Sequence, residues 1–355
     1  MPTPTLNTKK VEDLSLRVVN DMGGAFTMAL GYIGDRLGLF RVLAQEGPMS
    51  SVELAQKMGL NERYVREWAK ALVAADYLDY DPKSGRIHMT EEQAQVLARE
   101  DSPAFVGGAF HFTTPSIYNV PKILEAFKKG GGIAYSEIGE EIPEAIERFF
   151  RPAYVNFLAR DWVGVVPGLT EKLQKGALVA DVGCGAGQSS VALAKAYPKS
   201  KVVGVDNDAR SIQRAQKLKS SQRVDNVEFM QAPAHELPKN KKYDLICSFD
   251  CIHDMADPRK TLRTLHDALA DDGVYLWSEP ATSDQPLENR NPVGRAFAAV
   301  SPLHCLTVSL ASHGEGLGTQ LGLKGVQELA REAGFTSVEP LPIQNPLHRI
   351  YALRR

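Results

Sequence analysis

The stretch that most constrains this chain is Ala177-Leu178-Val179-Ala180-Asp181-Val182-Gly183-Cys184-Gly185-Ala186-Gly187-Gln188. Its apolar start, Ala177 to Val182, reads as a buried strand. The strand stops in a turn with glycine at 183, 185 and 187, and Gln188 to Ala196 then reads as a helix with Val191, Leu193 and Ala194 on its apolar side. Glycine serves where backbone turns sharply or lies against a ligand, because it has no Cβ. The helix start adds unpaired N–H groups and a partial positive charge. By itself such a turn is a weak nucleotide signal.

The next segment sharpens it. Lys201 to Asp206 reads as a second strand and ends in an acid about 20 residues beyond the turn, where a carboxylate can accept from both ribose hydroxyls. The spacing is Asp-x-Gly-x-Gly-x-Gly rather than the Gly-x-Gly-x-x-Gly that seats a pyrophosphate. Further strands are expected at 177–183, 201–206, 227–231, 243–249 and 273–279, with helices at 188–196, 208–219 and 258–270 between them. That alternation gives a doubly wound α/β sheet over residues 176–355. A helix at 324–333 and strands at 337–343 and 348–353 close the chain. Residues 281–323 form an insertion too long for a plain loop, so a lid or a folded insertion is expected there.

Upstream, residues 1–10 read as a disordered tail. Residues 11–43 read as a helix pair rich in small residues, including Gly23, Gly24, Gly31 and Gly34. Two readings stay open for it: a face that packs on a second subunit, or ordinary core. Ser50 with Glu53 reads as a capping box. A second helix follows with Val65, Trp68 and Leu72 on its stripe, then two short strands around Asp81-Pro82-Lys83-Ser84-Gly85. Helix, turn, helix and hairpin make a winged-helix module over 11–100. Its second helix mixes Glu62, Arg63, Arg66, Glu67 and Lys70, which argues against a phosphate backbone as partner. Residues 101–175 read as a helical linker; Phe150, Tyr154 and Trp162 in it are candidates to line a substrate pocket, with plain core as the competing reading.

Composition adds bounds. With 43% hydrophobic and 24% charged residues the chain reads as a soluble globular protein. A net charge of -2 gives no pull toward nucleic acid or an anionic membrane. No apolar run is expected to span a bilayer. Cys184, Cys247, Cys251 and Cys305 are scattered without metal-ligand or disulfide spacing, so no metal site is assigned and a cytoplasmic, reducing setting is expected.

Ligands of such a sheet sit at the carboxyl ends of its strands. Those ends offer, as candidates to bind a cofactor, Asp181, Gly183, Cys184, Gly185, Gly187 and Gln188; Asp206 and Asn207; Ala234 and His235; and Phe249 and Asp250; and, as candidates for catalysis, His253, Asp254 and Glu279. The glycine turn with Asp206 resembles that of class I S-adenosylmethionine-dependent methyltransferases. The resemblance implies S-adenosylmethionine as cofactor, with the turn under its methionine half and Asp206 on its ribose. His253-Asp254-Met255-Ala256-Asp257 and the acid of Trp277-Ser278-Glu279-Pro280 resemble the plant-type small-molecule O-methyltransferases, and the whole chain is similar to winged-helix methyltransferases found in actinobacteria. That implies His253 as general base, Glu279 or Asp254 as its partner, a small-molecule hydroxyl as acceptor, and a homodimer through the N-terminal domain. Where many relatives carry Gly-Asp-Ala, this chain has Ala232-Pro233-Ala234, which leaves the adenine to His235 or backbone groups. A thiol or amine acceptor, and a ligand-sensing winged-helix regulator, remain as alternatives.

Overall fold

The computed structural model describes residues 6–238 and 240–355. They fall into two compact units, one ending at Thr114 and one running from Pro115 to Arg355.

The first unit opens on a 29-residue helix, Thr8–Arg36, capped by the Asn7 side chain on the Lys10 amide. Thr8 to Lys10 are therefore helical rather than tail, while residues 1–5 lie outside the described residues. Leu39–Glu46 follows, then Ser51–Met58 behind the expected Ser50–Glu53 capping box and Glu62–Ala74 capped by Asn61. Strands β1 (Asp79–Asp81) and β2 (Arg86–His88) pair antiparallel as the wing. The core is built on Leu39, Phe40, Leu54, Val65, Trp68 and Leu72. The glycines of the long helix divide into two kinds. A Cβ at Gly31 would lie 2.5 Å from the Phe110 ring, and one at Gly34 2.6 Å from Trp68, so these two let the helix close on its own core. Gly23 and Gly24 face open space, beside exposed Leu14, Val18, Met22 and Phe26.

The second unit carries a seven-stranded sheet. Its strands are β3 (Leu178–Val182), β4 (Lys201–Asp206), β5 (Val227–Gln231), β6 (Tyr243–Phe249), β7 (Leu269–Pro280), β8 (Ser337–Pro340) and β9 (His348–Arg354), in the order β5-β4-β3-β6-β7-β9-β8. The first five are parallel, as the strand–helix alternation implies; β9 enters antiparallel between β7 and β8. Both faces are covered, with Val179, Leu245 and Leu276 packed on one side and Ala180, Ile246 and Trp277 on the other. A fully covered sheet explains why its strands read as near-continuous apolar runs.

The insertion is folded. It holds helices Pro292–Leu303 and Cys305–Ala311, which meet at His304. By length and hydropathy Pro292–Ala311 could cross a membrane, which corrects the expectation that no apolar run approaches that length. In the fold it is broken by His304 at φ -140°, ψ -75°, and it buries Ser301, Thr307 and Ser309. The insertion is tied to the segment around Gly132: the Ile133 amide donates to Thr307 Oγ1 at 2.9 Å, and a Cβ at Gly132 would lie 1.8 Å from the Thr307 carbonyl oxygen. Helix Glu141–Ala153 runs on into a π-helix, Tyr154–Trp162. Such wide turns are rare and gather at functional sites.

Candidate active site

The glycine turn follows β3. Gly183, Gly185 and Gly187 all hold positive φ (70°, 53° and 80°), where a Cβ is strained. Two of them are also close-packed: a Cβ at Gly183 would lie 2.6 Å from Cys251 Sγ, and one at Gly187 2.6 Å from the Phe229 ring. Gly185 differs, because nothing lies within 4 Å of its would-be Cβ. Its backbone is open for a ligand to rest against. Asp206 Oδ2 accepts the Gly185 amide at 2.8 Å and Oδ1 the Asp208 amide at 2.9 Å, so the acid at the end of β4 also braces the turn. Asp181 is buried beneath, accepting the Ser189 and Ser190 hydroxyls at 2.6 and 2.5 Å; burial pushes its pKa up to about 6. It stands at the joint of strand and helix. Gln188 donates to Glu147 at 2.7 Å. Cys184 is buried, Asn207 exposed, and Ala234 and His235 half-buried on a short 3-10 turn beyond β5.

His253 stands on a 3-10 turn past β6 and is 1% exposed. Its Nδ1 meets Glu279 Oε2 at 2.5 Å, and its Nε2 lies 3.2 Å from Asp254 Oδ1. Both expected partners are present, one at each ring nitrogen. Glu279 is fixed in turn by the Trp277 indole, which donates to Oε1 at 2.7 Å. Burial alone would lower the His253 pKa, but the carboxylates of Glu279 and Asp254 outweigh it and hold it well above the ordinary imidazole value. Burial raises Glu279, against the pull of His253. Nδ1 is thus engaged by Glu279, with Nε2 directed at Asp254.

Around the base stand residues that the sequence did not bring together. Asp250 follows β6 at φ 57°, with Oδ1 3.5 Å from Nε2 of His348. Tyr135 is half-buried, its hydroxyl pKa raised by burial and then by Asp206 and Asp208, which sets it beside the cofactor-side acids. The His304 ring lies 6.2 Å from that of Tyr135. Of the three expected pocket aromatics, Tyr154 contacts both others: ring centroids are 6.4 Å from Phe150 and 5.9 Å from Trp162. Phe249 packs at 5.5 Å on Tyr154 and on Trp162. Trp162 is 2% exposed and belongs to the core, whereas Phe150 and Tyr154 are half-buried. Although the cysteine spacing offers no metal motif, His253, Asp254 and Cys305, and likewise Asp250, His253 and Glu279, each bring three donor atoms within 4.8 Å of one another.

Residues 173–316 match the family described as "Methyltransferase domain", and residues 24–99 the "Rv2258c-like winged HTH domain". The C-terminal part thus matches a methyltransferase domain, and the N-terminal part a winged helix-turn-helix domain. A trans-aconitate 2-methyltransferase of Azoarcus sp. is 32% identical over 36% of this chain and 47% of its own length, so the chain spans about half of that relative. A ubiquinone biosynthesis O-methyltransferase of Bordetella avium is 27% identical over 58% of this chain and 81% of its own length. Among solved structures, the mitomycin 7-O-methyltransferase MmcR superposes with a TM-score of 0.73 at 17% identity, covering 98% of this chain and all of that one. Human N-acetylserotonin methyltransferase in complex with SAM gives 0.71 at 18% identity, covering 99% of both chains. These likenesses carry the fold.

Proposed function

We propose that this protein transfers a methyl group from S-adenosylmethionine to a hydroxyl of a small molecule, with His253 as the general base. The observation that carries the reading is the buried Glu279–His253 pair at 2.5 Å, at a strand end beside the open Gly185 backbone and Asp206. Gly183, Gly185 and Gly187 with Asp206 would hold the cofactor, which supplies an electrophilic methyl group when bound. The chain's part is to align the acceptor and to receive its proton at Nε2, with Glu279 holding the ring through Nδ1. Alignment can supply much of the acceleration of an in-line displacement. A positioned base adds a factor of about 10²–10⁴.

The same reading includes a homodimer through the apolar face of Thr8–Arg36 and a cytoplasmic setting, which four unpaired thiols favour. Against a DNA-reading role stands the second helix of the winged module, whose arginines pair with its own acids: Arg63 with Glu67 at 2.6 Å and Arg66 with Glu62 at 3.4 Å.

The test is methyl-labelled S-adenosylmethionine with purified protein and a small-metabolite extract, products being read by mass spectrometry. Label on an oxygen of a small product is the expected outcome. Label on sulfur or nitrogen would overturn the hydroxyl assignment, and no label with cofactor binding intact would turn attention to the regulator.

A further inference from the structure

Asp254 Oδ1, which faces His253 Nε2 at 3.2 Å, is one buried atom beside the base with no hydrogen-bond partner among the described residues; Asp250 Oδ1 and His348 Nε2 are two others. The latter two face each other at 3.5 Å, a loose ion pair rather than a hydrogen bond. Buried polar groups are nearly always paired, and an orphan in a native fold calls for a reason. Asp250 adds a second irregularity. It is not glycine, yet it holds φ 57°, a conformation that tends to gather at functional sites. His348 is fixed in place, its ring 5.0 Å from that of Phe150 and 5.8 Å from that of Phe297. The pair adjoins the base, for Asp250, His253 and Glu279 bring donor atoms within 4.8 Å of one another.

We infer that Asp250 and His348 bind a second hydroxyl of the acceptor, adjacent to the one that His253 deprotonates. That hydroxyl donates to Asp250 Oδ1 and accepts from His348 Nε2–H, filling the gap neither side chain closes alone. The inference rests on the methyltransferase reading above and narrows it to a substrate class, a compound with neighbouring hydroxyls. It also separates this chain from its trans-aconitate relatives in choice of acceptor. The charges that weigh most on this site are the carboxylates of Asp250, Asp254 and Glu279 and the imidazoles beside them, and three carboxylates repel a polycarboxylate.

The test is calorimetric binding of catechol, phenol and trans-aconitate to protein loaded with S-adenosylhomocysteine, for the wild type, Asp250→Asn and His348→Gln. The wild type is expected to hold catechol at least tenfold tighter than phenol, and trans-aconitate weakest. In both variants the catechol-to-phenol ratio should fall toward one. The ratio is internal to each protein, so a general loss of fold does not imitate the result. A wild-type ratio near one, no catechol binding, a ratio that survives both variants, or preference for trans-aconitate overturns the inference. The S-adenosylhomocysteine titration tests the parent reading separately. Its failure would remove the cofactor assignment, whereas cofactor binding with an unselective acceptor site removes only the present inference.

Discussion

His253 can take a proton only when its ring is neutral, and the neighbours that orient it also hold a proton on it. Glu279 and Asp254 raise its pKa above the ordinary 6.5. The imidazolium form, inactive as a base, therefore persists to higher pH than in an exposed histidine. We expect kcat/KM to rise with pH through a midpoint above 6.5, the base being lost as pH falls through that value. Glu279→Gln removes one of the two negative charges, so the midpoint should move to lower pH while cofactor affinity stays. A profile that does not move in this variant would deny Glu279 its orienting role. His253→Ala should lower kcat by about 10²–10⁴. Turnover unchanged in this variant, with S-adenosylhomocysteine still bound, would reject the base and favour a thiol or amine acceptor, which needs no strong base.

At the scale of elements, the glycine turn allows its parts to be separated. Gly185→Ala places a methyl group into open space at φ 53°, so its conformational cost is about 1–2 kcal/mol. If the Gly185 backbone carries the cofactor, S-adenosylhomocysteine affinity should fall at least tenfold by calorimetry while the melting temperature drops only a few degrees. Gly183→Ala meets Cys251 Sγ as well and should melt markedly lower. Equal affinity losses at equal melting shifts would mean that the turn is only structural. The sheet, the turn and His253 with its two carboxylates were legible in the sequence because each depends on local pattern: apolar runs for strands, glycine spacing for the turn, strand ends for the site. His348 was not legible. It reaches the site only because β9 inserts antiparallel beside β7, pairing His348 with Pro280. Tyr135 and Cys305 also come from segments distant in sequence, and no periodicity marks them. The left-handed φ of Asp250 is hidden too, since nothing in Phe249-Asp250-Cys251 announces a bend. Asp206 was expected on the ribose; its two backbone hydrogen bonds show a bracing role that spacing could not reveal.

For the whole molecule, the open question in the sequence was whether the small residues of 11–43 serve a core or a partner. The structure assigns Gly31 and Gly34 to the core of the first unit, against Phe110 and Trp68. A Cβ at Gly23 or Gly24 would meet nothing within 4 Å, and the exposed Leu14, Val18, Met22 and Phe26 lie along the same helix. An apolar helix face of that length is costly in water and points to association. Two substitutions separate the roles. Gly34→Ala should lower the melting temperature, because its methyl group would lie 2.6 Å from Trp68, and should leave the molar mass by light scattering at that of a dimer. Phe26→Glu, 66% exposed in the single chain, should do the reverse: little change within the protomer fold, but a shift to the monomer mass at micromolar concentration. A wild-type mass of one chain would remove the dimer outright. A dimer mass that survives Phe26→Glu would move the interface away from this helix, and the exposed face of residues 14–26 would then need another occupant.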